Sequence, residues 1–348
     1  MKISNRLIGK DNPLFFIAEA GVNHNGSIEI AKKLVDSASN AGADAVKFQT
    51  FKTENIITLT APKSTYHIRT TGSDNDLSWY ELLKTQELDK SMHIDLMQYC
   101  EKKNIIFLST PYDNESADLL DDLGIAAFKT ASTDTNNIPF LKYLAKKGKP
   151  IIMSSAMCNM DEVKAAIETV REGGISEIAM LQCTGNYPAK LEDSNLNVIN
   201  EYLNKLDCLV GYSDHTIGLI NPIAATALGA SIYEKHITID KNLPGPDQKM
   251  ALNPIELKET INAIRMTEKA LGNNNKNVLE SELENRIKLR KSLVANLDIN
   301  LGDLITLEMI GIKRPGSGLK PGLIENLIGK KAKRKIKKDS LFIKDDMF

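Results

Sequence analysis

LVGYSDHTIGLINPIAATALGASIYEKH, residues 209–236, holds two short β-rich apolar runs, Leu209–His215 and Ser231–His236, around a helical stretch over Asn221–Leu228. Strand, helix, strand is a parallel βα unit, because parallel strands need a crossover long enough to carry the chain back to its starting edge. The same unit recurs upstream, with runs at Leu14–Ala20, Ala45–Thr50, Ile105–Pro111, Ala126–Ser132, Pro150–Ser155 and Ile178–Thr184. Helices such as Ser27–Asn40, Ser116–Leu123 and Asp161–Glu172 lie between them. Asp161 is the expected N-cap of the last, and Gly173-Gly174 its stop. An open doubly wound sheet can be written this way too. Eight strand–helix units over about 270 residues predict the closed (β/α)₈ barrel instead.

One connection is oversized. From Thr50 to Leu88 the chain includes Lys63–Asp76, a polar stretch without clear period, expected as a loop over the barrel mouth. After Leu271 comes the polar break GNNNKN, and beyond Lys288 the pattern changes to short runs punctuated by Gly and Pro. The expected organisation is a catalytic barrel over 1–272, a linker over 273–287 and a small, mostly β domain over 288–348.

Composition narrows the class. With 42% hydrophobic and 26% charged residues, the chain of 348 residues can bury a sizeable core, so wholesale disorder is excluded. Forty-four Lys and Arg oppose forty-five Asp and Glu, a balance that argues against a nucleic acid partner. The basic run Lys330–Lys338 has seven Lys or Arg in nine positions, but no aromatic platform accompanies it, and it reads as a solvated face. No apolar run approaches membrane-spanning length, and MKISNRLIGKDNP does not read as a signal peptide. Cys100, Cys158, Cys183 and Cys208 form no CxxC pair and suit reduced thiols in a cytoplasmic protein.

In a barrel the chemistry sits where the strands end. The first run ends in Glu19 and continues through Asn23-His24-Asn25-Gly26; the second ends in Lys47-Phe48-Gln49-Thr50. The fourth contains Lys129, with Ser132 and Asp134 beyond it; the fifth ends in Ser154-Ser155 and the sixth leads to Tyr187. The seventh ends in Ser213-Asp214-His215 and the eighth in Glu234-Lys235-His236. Side chains alternate along a strand, so Lys47 shares a face with Gln49, Ser213 with His215, and Glu234 with His236. Charged groups at the ends of apolar strands cost desolvation unless they meet partners, metal or substrate. Two histidines at the active end of neighbouring strands, in oxygen-rich surroundings, suit an octahedral ion such as Mn²⁺ or Mg²⁺ better than tetrahedral zinc. Either one alone is more often a hydrogen-bonded core histidine than a ligand. Lysines with several serines suit an anion, with pairing to Glu19 and Asp134 the alternative. The set fits condensation of an anionic enol with an aldehyde.

AEAGVNHNG at 18–26, VKFQTF at 46–51, FKTASTDTNN at 128–137 and QCTGNYP at 182–188 resemble the sialic acid synthase family. So do GYSDHTIG at 211–218, EKHITIDKNLPGPDQ at 234–248 and IKRPGSGLKP at 312–321. The resemblance implies a TIM barrel followed by an antifreeze-like (SAF) domain, in a domain-swapped homodimer. It implies condensation of phosphoenolpyruvate with an N-acyl mannosamine-type sugar, using Mn²⁺ or Mg²⁺. By position it makes His215 and His236 the metal ligands, and gives Lys47, Lys129, Ser132, Ser154 and Ser213 to phosphoenolpyruvate. It turns Gln49, Tyr187 and Asp247 toward the sugar, brings Arg314 in from the small domain of the partner subunit, and makes Glu19 and Asp134 the catalytic carboxylates. Asp134 stands where many members have Glu, Gly185 where a polar residue is common, and Gln248 where many have His. The DTNN stretch resembles N-acetylneuraminate synthases, whereas Tyr66 in KSTYHIRTT resembles the legionaminic acid branch, with pseudaminate third. A non-catalytic sugar-phosphate binder and another metal-dependent barrel enzyme are the competing classes.

Overall fold

A computed structural model of the chain describes every residue except Asn274, within the GNNNKN break, and Phe348. Two compact units emerge, Met1–Gly272 and Asn273–Phe348.

The first unit carries eight parallel strands: β1 (Phe15–Gly21), β2 (Ala45–Thr50), β3 (Ile106–Pro111), β4 (Phe128–Lys129), β5 (Ile151–Ser154), β6 (Ile178–Cys183), β7 (Leu209–Asp214) and β8 (Ile232–His236). The hydrogen-bonded order is β3-β2-β1-β8-β7-β6-β5-β4, and β3 lies against β4, so the sheet closes on itself. All eight expected runs are strands, and the (β/α)₈ barrel is the fold. The fourth is far shorter than expected. Past Lys129 the chain turns into a 3₁₀ segment, Ser132–Asp134, where Ser132 Oγ accepts from the Ala156 amide at 3.0 Å and Thr135 Oγ1 donates to the Ser154 carbonyl at 2.6 Å. Side chains there take the place of ladder bonds.

Helix ends follow local chemistry. Ser27 caps Ile28–Ala41, and Gly42 ends it in the left-handed region at φ 89°. The helix after β5 spans Met160–Glu172 and is capped by Asn159, not Asp161. The Asn159 carboxamide accepts from the Asp161 and Glu162 amides while Glu162 reaches back to the Asn159 amide, a reciprocal box that Asp161 could not form. The oversized connection is not a bare loop: it contains short helices Thr53–Ile56, Thr65–Thr71 and Trp79–Lys84. Its polar part is knotted by Lys63, whose buried ammonium donates to the Gly72 carbonyl at 3.1 Å and whose amide meets Asp74. Such bonds leave no apolar period to read.

Alternation divides the barrel into two cores. Phe16, Ala18, Val46, Phe48, Met153 and Tyr233 face the helices. Phe15, Ile17, Ala45, Leu108, Leu181 and Ile232 fill the interior at the strands' amino ends, with Ile3 and Ile8 of an N-terminal hairpin plugging that end. Gly211 on β7 pairs with Leu181 and Ile232 in this interior layer.

The second unit pairs β9 (Ser292–Ala295) with β10 (Ile310–Lys313) antiparallel; isolated bridges and 3₁₀ turns supply the rest around Leu293, Ile299, Ile305, Leu327 and Phe342. The stretch expected as a linker contains a helix, Leu283–Leu289. In the basic run Ala332 and Ile336 point into this core, while Arg334 pairs with Asp346. Among the described residues no helix is long and apolar enough to cross a membrane.

A Cβ on Gly211 would lie 2.5 Å from both the Ile232 carbonyl oxygen and a Leu181 methyl. Gly211→Val is therefore expected to overpack the interior layer and destabilise the barrel by about 1–3 kcal/mol or more. Thermal unfolding of the full chain checks this, and an unchanged midpoint would contradict the packing described.

Candidate functional site

Along each strand the inward positions change from apolar to polar at the carboxyl end. Phe15 and Ile17 are followed on that face by Glu19, Ala45 by Lys47 and Gln49, Leu108 by Thr110, and Ile232 by Glu234 and His236. These ends surround a cavity of about 1030 Å³.

Four charges meet at its floor. Lys47 Nζ lies 2.7 Å from Glu19 Oε2, donates to Thr110 Oγ1 at 3.0 Å, and is 3.9 Å from Glu234 Oε2. Lys129 Nζ donates to Ser154 Oγ at 2.7 Å and to the Thr130 carbonyl at 2.9 Å, and sits 3.6 Å from Glu234 Oε1. Ser213 Oγ donates to Glu234 Oε1 at 3.1 Å, while Glu234 Oε2 has no hydrogen-bond partner. Lys47 thus pairs with Glu19, as the alternative reading allowed, but Lys129 turns to Glu234 and not to Asp134. Burial raises the Glu19 carboxyl to about 7 against the pull of Lys47, with Glu234 adding to the rise. Burial also pushes Glu234 upward, but the two lysines outweigh it and hold this carboxyl below the usual range. Lys129 is lowered by burial. Lys47 is raised, because Glu19 and Glu234 outweigh the burial that opposes them.

Above the floor stand two imidazoles with ring centroids 5.5 Å apart. His215 Nδ1 donates to the Thr184 carbonyl at 2.7 Å, which holds a proton on that nitrogen. Burial opposes the charged ring, but Cys183 and this carbonyl outweigh it and raise His215 to about 9, so Nε2 offers a lone pair only once its proton is displaced. His236 Nδ1 is buried without a hydrogen-bond partner, 3.6 Å from Asp247 Oδ2. Burial and the neighbouring His215 push His236 well below the ordinary histidine value, so it is a neutral donor. Burial raises Asp247 to about 6. Among the described residues no three His, Cys, Asp or Glu side chains converge as a metal set. Two imidazoles, one oriented by a carbonyl and one with an orphaned nitrogen, fit a divalent ion that displaces the His215 Nε2 proton and takes its remaining ligands from oxygen.

Tyr187 covers this pair, 4.1 Å from the His215 ring, and Tyr66 from the long connection stacks on Tyr187 at 5.0 Å. The connection does lie over the mouth, as expected. Gln49, Ser132, Ser154, Ser213 and Asp247 line the cavity. Asp134 does not. It sits behind Thr133, its Oδ1 held by Asn137 at 3.0 Å and its Oδ2 buried without a partner, with burial raising its carboxyl. Arg314 follows β10 in the second unit and is exposed. Sequence reading placed Glu234 at a strand end but gave it no role, and Thr110 was not singled out. Their signal was phase: Glu234 shares the inward face with His236, and Thr110 with Leu108.

A family model described as the NeuB family matches residues 34–276, and one for the SAF domain matches 290–347. This chain belongs to the NeuB family. The resemblance carried by the motifs is borne out. The N,N'-diacetyllegionaminic acid synthase of Campylobacter jejuni is 43% identical over 327 residues, 93% of this chain and 97% of that protein. The human N-acetylneuraminate-9-phosphate synthase is 36% identical over 342 residues, 98% of this chain and 94% of its own length. Among solved structures, an N-acetylneuraminic acid synthetase from Leptospira borgpetersenii, in complex with citrate, aligns with a TM-score of 0.72 at 32% identity, covering 82% of this chain and 94% of that one. The NeuB chain is thus an enzyme of the nonulosonic acid synthase type.

The Glu19 environment has a measurable consequence. Its carboxyl binds a proton in the folded NeuB chain near pH 7 and in the unfolded chain near the ordinary 4.5. The stabilisation is complete below about 4.5 and is lost as pH rises through 7. Carbon NMR of labelled glutamate should show one carboxyl titrating near neutrality that disappears in Glu19→Gln. A spectrum with every carboxyl titrating in the usual range would contradict this placement.

Proposed function

We propose that the protein condenses phosphoenolpyruvate with an N-acetylmannosamine-type sugar and water to give N-acetylneuraminate and phosphate. The observation that carries this is the buried Lys47–Glu19–Glu234–Lys129 cluster lying beneath two imidazoles. Lys47 and Lys129, with Ser132, Ser154 and Ser213, offer the phosphate and carboxylate of the enol charge-assisted hydrogen bonds in a site shielded from water. Gln49, Tyr187 and Asp247 face the sugar.

His215 and His236 would hold a divalent ion, Mn²⁺ or Mg²⁺, which when bound supplies Lewis-acid polarisation of the sugar aldehyde. The C2=C3 π electrons of the enol form the new bond from C3 to the aldehyde carbon, and the aldehyde oxygen takes the proton of Glu19, leaving that carboxylate ionised. Positive character left at C2 is stabilised by ionised Glu234 and Glu19 across the floor. Water adds at C2 and gives its proton to Glu19, whose raised carboxyl suits it to accept and return protons near neutral pH. The C2–O bond to phosphate then breaks, phosphate leaves with the bond's electrons and takes up the proton of the C2 hydroxyl, and the 2-keto acid results. Asp134, which the motif resemblance makes the second catalytic carboxylate, lies outside the cavity lining with Oδ1 held by Asn137, and the steps above give that place to Glu234.

A second reading, a 2,4-diacetamido-6-deoxy hexose as substrate, is favoured by the aromatic ring of Tyr66 against Tyr187 at the mouth, which suits an apolar substituent. Phosphate release with each sugar in turn separates the two, and release with none identifies a non-catalytic binder. In water labelled with heavy oxygen, label is expected in the sugar acid; label in phosphate would mean P–O cleavage and a different reaction.

Chelation is expected to abolish turnover and Mn²⁺ to restore it, with His215→Ala or His236→Ala lowering activity about a hundredfold or more. Full activity in metal-free protein would return both histidines to the core. Arg314 is proposed to complete the site of the neighbouring chain in a two-fold dimer, its fixed donors suiting an acyl carbonyl or hydroxyls. Mixing Arg314→Ala and Glu19→Gln chains should then regenerate activity in heterodimers, whereas no recovery with verified chain exchange removes the swapped arrangement.

A further inference from the structure

On the outer side of β7 and β8, between the strands and the helices, lies an ion pair that the chemistry above does not use. Asp214 and Lys235 are partners in the parallel ladder, both buried and joined side chain to side chain. Each immediately precedes a histidine, and consecutive strand residues point to opposite faces. The two charges therefore face the helices while His215 and His236 face the cavity.

The pair also grips the residue beyond His215. Asp214 Oδ1 accepts from the Thr216 amide at 2.9 Å and from Thr216 Oγ1 at 2.8 Å, and Lys235 Nζ donates to the Thr216 carbonyl at 2.5 Å. Tyr233 donates its hydroxyl to Asp214 Oδ2 at 2.5 Å, and Asn221 reaches Thr216 Oγ1 at 3.1 Å. His215 is thereby pinned on both sides of its backbone, and Lys235 carries the constraint across to the strand that bears His236. Stability does not explain this arrangement. The strand–helix layer of a parallel barrel is ordinarily apolar, and replacing a buried ion pair by well-packed hydrophobic residues is commonly neutral or stabilising.

We propose that the Asp214–Lys235 pair is a positioning device that fixes the orientation of His215 and His236 for a shared divalent cation. The cation rests on the functional reading above; the imidazole orientation does not. Lys235→Met alone strands the Asp214 charge and is expected to destabilise the barrel. The informative variant is therefore the double Asp214→Leu/Lys235→Met, which removes both charges and keeps apolar volume.

The full-length double variant should unfold within a few degrees of the parent and bind phosphoenolpyruvate within about threefold, since Lys47 and Lys129 are untouched. Its affinity for Mn²⁺, measured by calorimetry without substrate, should fall about 10- to 100-fold. Nitrogen NMR of labelled histidine, recorded above about pH 9 where His215 has lost its second proton, should show the Nδ1–H tautomer of His215 in the parent and a mixture in the double variant. An unchanged tautomer in the folded double variant overturns the positioning role whatever the metal result. A parent that binds no Mn²⁺ but shows the tautomer change overturns the metal reading alone. Should the double variant not fold, Thr216→Val removes two ties, the hydroxyl's bond to Asp214 and the one it accepts from Asn221, and leaves the charges. It should then weaken Mn²⁺ binding by about a neutral hydrogen bond's worth, about three- to tenfold, with the same NMR change, and no effect on either would overturn the proposal.

Discussion

Four charged side chains, Glu19, Lys47, Lys129 and Glu234, are held out of water at the bottom of one cavity, and the rest of the barrel serves that constraint. No one of them could be buried alone at acceptable cost. Together they form a nearly neutral cluster whose members are 2.7–3.9 Å apart, with Thr110, Ser154 and Ser213 taking part of the hydrogen-bonding capacity. Such proximity needs strands that converge from different parts of the chain in fixed register. A closed barrel with an apolar layer beneath, plugged by Ile3 and Ile8, supplies both the register and the dry floor.

The cluster is left incompletely satisfied. Glu234 Oε2 and His236 Nδ1 are buried without hydrogen-bond partners, and burial lifts the Glu19 carboxyl toward neutrality. Unmade bonds at a site lined by cations are what an incoming anion and a divalent ion would satisfy, so the free energy withheld in folding becomes available for binding. The outer face of the same two strands is treated in the opposite way. There Asp214 and Lys235 satisfy each other and the Thr216 backbone, and that face is rigid where the inner face is receptive.

The mouth adds a third kind of surface. Tyr187 over His215, and Tyr66 over Tyr187, bring a segment of the long connection to within a ring's thickness of the imidazoles. The wall of the mouth is aromatic, while the buried charges lie on the strands below.

Much of this was legible in the amino-acid sequence. Short, nearly continuous apolar runs separated by capped helices pointed to the barrel, because parallel strands buried on both faces are apolar along their whole length. The motifs at the strand ends located Lys47, Lys129, His215 and His236, because a charge at the end of an apolar run stands out against it. What only the tertiary structure decided was who meets whom. Glu234 rather than Asp134 became the partner of Lys129, and Asp134 went behind Thr133, because Ser132 and Thr135 bond across to the neighbouring loop and shorten β4 to two residues. The N-cap moved from Asp161 to Asn159 for a reason of the same kind, a reciprocal pair of bonds with Glu162. The helices inside the long connection also escaped the sequence, since Lys63 is knotted by polar bonds that leave no period. Periodicity records which face of an element is buried; contacts between elements depend on side-chain reach and competing hydrogen bonds, and these exist only once the chain has closed around them.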